Sequence, residues 1–481
     1  MNRTASKSDK VEAIPLSVVL LAIGLALIPL VNRALFTPDA WWHIALGDAI
    51  RRAHSIPAEA YSFTASGRPI YCHWWLSDVI FSTVSQLCGL SGLEAFGFLL
   101  VIGLSVSVAL LARELGASVL WMLVAQCLFF GTAQQFLILR PQLFSALFAV
   151  WIFILYLRSR AELRRSLFIL PLFFVAWSNL HGGFLLGILE LIGILCLEIG
   201  SAIERKGSWK RVWFFSGLLA ICVLASFLNP YGSAAFRNAI QHDPFVQGAN
   251  RHIDEWLSPT LLQARGFYLS ILFAALLIAA RRARPTAIEA CVFISCTVAA
   301  LLSWRHVMLF GIFAIPVLVA WASRSTRSIE VAALPRRAAI AIWLALLALV
   351  GWQVFYRRPV LQTEHIERSF PVRAAAWLGT HPQNGQMFHP YEWGGYLIYA
   401  LRGTPPVYID SRLSPYSEIF PDEYFTIFNL QSGWEDILER RSIRWMLVRN
   451  GSPLQEKLET TYGWKRIYSD DTAVLLRAPG S

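Results

Sequence analysis

The sequence predicts a polytopic α-helical membrane protein, with about eleven transmembrane helices and a small extracytoplasmic α/β domain at its C-terminal end. Three observations predict it. Of 481 residues, 56% are hydrophobic and only 15% are charged. Apolar runs of about twenty residues, the length a bilayer requires, recur up to about residue 355 and are separated by short Arg-rich breaks. Beyond that point the apolar period shortens and turn signals appear.

The first run, Ile14 to Leu35, exceeds a signal-peptide core and lacks a clear small-residue cleavage site, so it reads as a retained anchor. Arg3, Lys7 and Lys10 place the N-terminus in the cytoplasm. The next stretch, Trp74 to Leu90, decides the topology. If it spans, the Arg158/Arg160/Arg164/Arg165 and Arg205/Lys206/Lys210/Arg211 clusters fall outside, against the cytoplasmic excess of Lys and Arg. If it lies flat on the outer surface, both fall inside. The flat reading gives crossings at about 93–112, 117–135, 141–158, 166–180, 183–202, 212–228, 267–281, 286–302, 306–323 and 338–354, eleven with the first.

It also places Arg281, Arg282, Arg284, Arg324, Arg327, Arg336 and Arg337 inside. All ten histidines then fall outside: His43, His54, His73, His181, His242, His252, His306, His365, His381 and His389. The chain divides into a transmembrane unit over 1–354, with a long external first loop over 36–91, and an extracytoplasmic domain over 355–481. In that domain "GQMFHP", "PPVYID" and "RWMLVRN" read as strands, "WGGYLIYAL" and "GWEDILERR" as helices, and "KRIYSDDTAVLLRA" as a closing hairpin. Asp410 and Arg412 follow a strand end, where α/β domains place binding groups; the other reading is a domain-packing salt bridge.

The net charge of +11 sits largely in the breaks between spans, where orientation signals lie, so no nucleic-acid partner is expected. Seven cysteines are scattered without metal-ligand spacing, and no metal-binding residue is assigned. No Gly-rich loop of the P-loop or Rossmann type is present, so no nucleotide sugar is called for.

The external turns hold the candidate chemistry. "TPDAWWHIALGDAI" places Asp39 directly after the first run, with His43 four residues on and so on the same helical face. The neighbouring tryptophans read as an interfacial belt and Asp39 alternatively as a helix cap. "IYCHWWLSD" carries His73 and Asp78, "NLHGG" Asn179 and His181, "HIDEW" Asp254 and Glu255, and "SWRH" Arg305 and His306. Arg140, in "LRPQ", and Arg305 are lone cations at span ends where the orientation bias disfavours them, and a guanidinium suits bidentate phosphate binding. Snorkelling arginines are the plainer reading. Glu190 lies inside a span without a visible partner and is left unassigned.

A first membrane helix followed at once by an external acid, a long first loop, about a dozen spans and an external α/β domain resemble the GT-C superfamily of polyprenyl-phosphate-dependent glycosyltransferases. More closely, "DAWWHIALGDAI", "WWLSDVIFS", "RPQLFSALF", "NLHGGFLLG", "NPYG" and "YEWGGYLIY…PPVYIDSR" resemble the RgtA/B/C/D-like bacterial membrane glycosyltransferases. The resemblance spans nearly the whole chain and rests on the order of the motifs. It implies a polyprenyl-phosphate-linked sugar as donor and a glycan, lipid or protein acceptor, met at the outer face of the cytoplasmic (inner) membrane. It maps the family's first-loop acid, a base or acceptor-positioning residue, onto Asp39. Asp78, Asp254 and Glu255 are the candidates for a second acid, and a divalent metal stays open. A transporter of lipid-linked substrates and a non-catalytic envelope assembly protein are the alternatives from other classes.

Overall fold

The computed structural model describes residues 36–480 except 69, 205, 242–253, 281–284, most of 326–357 and a few positions between 413 and 421. The expected anchor over 14–35, the crossing at 338–354 and the "HDPF" turn lie outside the described residues. Helix α1 (Pro38–Ala53) starts with Pro38 at its first position, where no N–H is needed, and carries Asp39 in its first turn and Arg51 and Arg52 in its last, as the helix dipole favours. Helix α2 (Trp75–Glu114) is two helices joined at Gly89, whose φ of 68° and ψ of −176° break the hydrogen-bond ladder. That break falls at the expected boundary between the 74–90 segment and the crossing that begins at 93.

There follow α3 (Val119–Ala133), α4 (Gln142–Arg158), α5 (Leu170–Leu180), α6 (Phe184–Ile203), α7 (Trp209–Ala225), α8 (Ala234–Gln241), α9 (Arg265–Ala279), α10 (Ala287–Leu302) and α11 (Trp304–Ser325). Each expected crossing between 93 and 323 falls on one of these helices. Eleven crossings are nevertheless not established: only four helices among the described residues are long and apolar enough to cross a membrane by length and composition. Helices of 15 to 17 residues, such as α9 and α4, rise about 22–26 Å at 1.5 Å per residue, short of a hydrocarbon layer of about 30 Å.

The tail contains α12 (Arg358–Ser369), α13 (Val372–Thr380), β1 (Gln386–Phe388), α14 (Tyr391–Ala400), α15 (Asp422–Phe428), α16 (Trp434–Arg440), β2 (Ile443–Arg449), α17 (Pro453–Thr460), β3 (Lys465–Ser469) and β4 (Ala473–Arg477). The sheet order is β1-β2-β4-β3. Strands β1 and β2 are parallel, as the long helical connection between them permits, and the β3–β4 hairpin closes the edge.

"PPVYID" does not join this sheet. Pro405 and Pro406 lack the N–H groups a ladder strand needs. The segment pairs instead with the loop between α1 and α2: Val407 N donates to Tyr61 O at 2.7 Å and Phe63 N to Val407 O at 3.1 Å. Helix α14 lies against α1 so closely that a Cβ on Gly395 would sit 2.6 Å from the Pro38 carbonyl oxygen. Trp41 of α1 meets Tyr396 and Tyr399 of α14, each at 5.0 Å between ring centres.

Candidate functional site

Asp39 is presented by the first turn of α1, between the membrane helices and the tail. Its Oδ2 lies 2.7 Å from Arg140 Nε. Its Oδ1 accepts from Ser411 Oγ at 2.5 Å and from Trp42 Nε1 at 3.3 Å. Burial alone raises this carboxyl, but the Arg140 charge and the Ser411 hydroxyl outweigh burial and hold it below the ordinary aspartate value.

Arg140 stands in the turn just before α4 and donates from Nη1 to both oxygens of Glu255, at 2.9 and 3.2 Å. The 3-10 turn Asp254–Trp256 that carries Glu255 is strapped to the start of α11: Ser303 Oγ donates to Glu255 O at 3.0 Å and Trp304 N to Leu257 O at 2.8 Å. The Arg305 guanidinium then stacks 4.9 Å from the Trp256 ring centre. Glu255 points inward and Asp254 is exposed on the other side of the turn. The carboxylates of Asp39 and Glu255 converge on the Arg140 guanidinium, so a divalent ion bridging them would have to displace it.

A second group lies on the far side of Trp42. His43, four residues after Asp39, does not share a ligand position with it: His43 Nδ1 hydrogen-bonds Asp78, and Cys72 Sγ donates to the other Asp78 oxygen at 3.0 Å. All three side chains are buried. The His73 ring centre is 4.0 Å from Trp74 and 6.4 Å from His181.

His181 Nδ1 accepts from Gly183 N at 3.0 Å and from Ser145 Oγ at 2.7 Å, while Trp177 Nε1 donates to Ser145 Oγ at 2.6 Å. With Nδ1 occupied as an acceptor, the ring proton belongs on Nε2. Burial, and then the neighbouring His73, Arg305 and His43, push this imidazole well below its ordinary value, so it is a neutral donor. Asn179 acts as a strut: it accepts from Trp75 Nε1 at 2.9 Å and donates to Leu228 O at 2.8 Å. His306 Nδ1 meets the Ala299 carbonyl at 3.2 Å, tying α10 to α11.

Asp410 and Arg412 form a buried network. Arg412 reaches Glu59 of the first loop at 2.7 Å and Asp410 at 2.6 Å, and Tyr416 donates to Asp410 at 2.7 Å. This is the packing reading of "DSR". One residue of the tail that the sequence did not single out joins the site, and a second lies within electrostatic reach of it. Ser411 is the first. No local signal marked it, because Ser411 lies in a turn, where Arg412 N donates to Asp410 Oδ1 at 2.9 Å, and only tertiary packing brings its hydroxyl to Asp39. Tyr391 is the other: burial first, then Glu392, Asp39, Glu255 and Asp254, push its phenol up to about 12.

No family model matches the sequence, and no curated protein matches it. Among solved structures, the archaeal oligosaccharyltransferase AglB from Archaeoglobus fulgidus, in complex with an inhibitory peptide and a dolichol-phosphate, covers 92% of this chain and 70% of its own at a TM-score of 0.59 and 13% identity. ArnT from Cupriavidus metallidurans, bound to undecaprenyl phosphate, covers 96% of each chain at a TM-score of 0.48 and 13% identity, a likeness too loose to argue from. At such identity the AglB likeness speaks to architecture alone: over most of its length the chain shares the fold of that oligosaccharyltransferase.

Proposed function

We propose that the protein transfers a sugar from a polyprenyl-phosphate donor to a cell-envelope acceptor at the outer face of the cytoplasmic membrane. The observation that carries this reading is the Asp39–Arg140–Glu255 cluster, a carboxylate in direct contact with a guanidinium, placed between apolar helices and the tail in a fold shared with AglB. AglB is described in complex with a dolichol-phosphate, which supports a lipid phosphate as the donor class.

The chemistry needs two groups. An acceptor oxygen attacks the anomeric carbon, the bond from that carbon to the phosphate oxygen breaks, and the electron pair leaves with the phosphate. Arg140, with Arg305 and the His181 Nε2 proton, meets the negative charge that grows there. Asp39 takes the acceptor proton. In the resting site Asp39 is a weak base because Arg140 is on it. A donor phosphate that draws Arg140 away removes the main attraction and leaves burial, which raises the carboxyl toward the strength a base requires. His43 holds α1 against α2 through Asp78 and so positions Asp39. A transporter would set its polar site on broken helices near mid-membrane, whereas Asp39 stands in the first turn of α1, Arg140 just before α4 and Glu255 in a 3-10 turn.

Asp39→Asn keeps the shape and removes the base. In proteoliposomes supplied with polyprenyl-phosphate sugars, transfer should fall by about 10²-fold or more, with expression and folding near normal. Near-normal transfer would remove Asp39 from the chemistry. Mass spectrometry of envelope glycans and prenyl-phosphate sugars from a deletion strain identifies the sugar.

A further inference from the structure

A cavity of about 260 Å³ opens in the tail, and none of the residues that the reaction above uses lines it. Its apolar wall includes Pro390, Phe428 and Leu430, and its polar side includes Asn429, Arg449 and Lys457. It lies beyond the carboxyl ends of the parallel strands β1 and β2, where open α/β sheets bind their ligands. Arg449 is held in place there: it donates to Glu392 Oε1 at 3.1 Å and stacks 5.0 Å from the Trp393 ring, with its side chain still 45% exposed. Pro390 links the cavity to the reaction centre through the chain, because it precedes α14, whose Gly395 lies against the Pro38 carbonyl beside Asp39.

We propose that this cavity binds an acidic sugar unit of the acceptor. The hydrophobic face of a pyranose packs on Phe428, Leu430 and Pro390, the Asn429 amide meets a ring hydroxyl, and Arg449 and Lys457 take the carboxylate. A volume under the roughly 300–1,000 Å³ of sites for drug-sized ligands fits one sugar unit. A bare phosphate would leave the apolar wall unused. The word acceptor rests on the transfer reaction proposed above; the binding of an acidic sugar does not.

The test is direct binding to the full-length protein in nanodiscs, read by ligand-observed NMR, with cellobiouronate, cellobiose, inorganic phosphate and a Glu-Glu dipeptide as probes. Cellobiouronate should bind at least about tenfold more tightly than cellobiose, because a charge-assisted bond is gained. Lys457→Ala should weaken it by about tenfold, and Asn429→Trp, an exposed position on the rim, should abolish it by filling the mouth. Equal binding of cellobiose, equal binding of phosphate or dipeptide, or no response to Asn429→Trp would each overturn the proposal. Binding is read without turnover, so Asp39→Asn should leave it unchanged. Unchanged affinity with transfer retained in Asp39→Asn would sink the reaction and not the pocket.

Discussion

Asp39 is pulled in two directions, and the balance makes a measurable pH dependence. Its folded-state value lies below the unfolded value of about 3.9, so the stability it contributes is complete above that pH and is lost as pH falls through the folded value. Arg140→Gln removes the largest attraction and keeps the burial. The acid limb of kcat/KM, which reports the free enzyme, should therefore move to higher pH in that variant, even with the rate reduced. A limb in its wild-type place would show that Asp39 does not set it. Arg140→Lys keeps the charge without the planar fork, so the limb should stay while KM for the donor rises. Asp39 and Arg140 were legible in sequence because each breaks a membrane pattern: an acid directly after an apolar run, and a cation on the disfavoured side. His43 was misleading for a physical reason. Four-residue spacing sets a shared helical face, but α2 packs against that face and offers His43 the Asp78 carboxylate, while Asp39, one turn nearer the helix start, meets the tail.

The contact between α1 and α14 decides where the site's two halves meet. Gly395 allows it, because the α1 backbone at Pro38 occupies the space a side chain would need. Gly395→Val should push α14 away from α1, separating Ser411 from Asp39, at a cost of about 1–3 kcal/mol as overpacking against backbone. Gly217 of α7 has open space around it, so Gly217→Val is the control. Thermal unfolding in detergent should show a lower Tm for the first variant and little change for the second; equal Tm values would mean that α14 does not bear on α1 as described. The helix over "WGGYLIYAL" was readable from its apolar period. Its use of a glycine for approach to a segment more than 350 residues earlier was not, since no local pattern encodes the partner. The same holds for "PPVYID", which has the composition of a strand but pairs with the first loop, because only tertiary structure brings Tyr61 and Val407 together.

Among the described residues, polar contacts at the ends of the membrane helices form two layers, and the helices connect them. One layer holds Asp39, Arg140, Glu255, His181 and Ser411. The other holds the ion pairs Arg158–Glu114 at 2.8 Å, Arg211–Glu198 at 2.7 Å and Arg324–Glu289 at 2.7 Å. Helix α4 starts beside Arg140 and ends at Arg158; α6 starts beyond His181 and carries Glu198 toward its end; α10 starts near Glu289 and ends against Ser303, from which α11 returns to Arg324. This alternation agrees with the positive-inside reading, since Arg158, Arg211 and Arg324 of its clusters are the cations of the second layer. The tail joins the first layer through Ser411 and through the Arg412–Glu59 pair, so tail and first loop occupy one side. On a cysteine-free background, Thr461→Cys in the tail should react with a membrane-impermeant maleimide in intact cells, and Ser208→Cys, at the start of α7 beside the second layer, only after permeabilisation. Reaction of Ser208→Cys in intact cells with none at Thr461→Cys would turn the molecule over and put the cluster on the cytoplasmic face. Reaction at both would mean that the two layers do not lie on opposite sides of a bilayer, and the packing argument would fail with the charge argument.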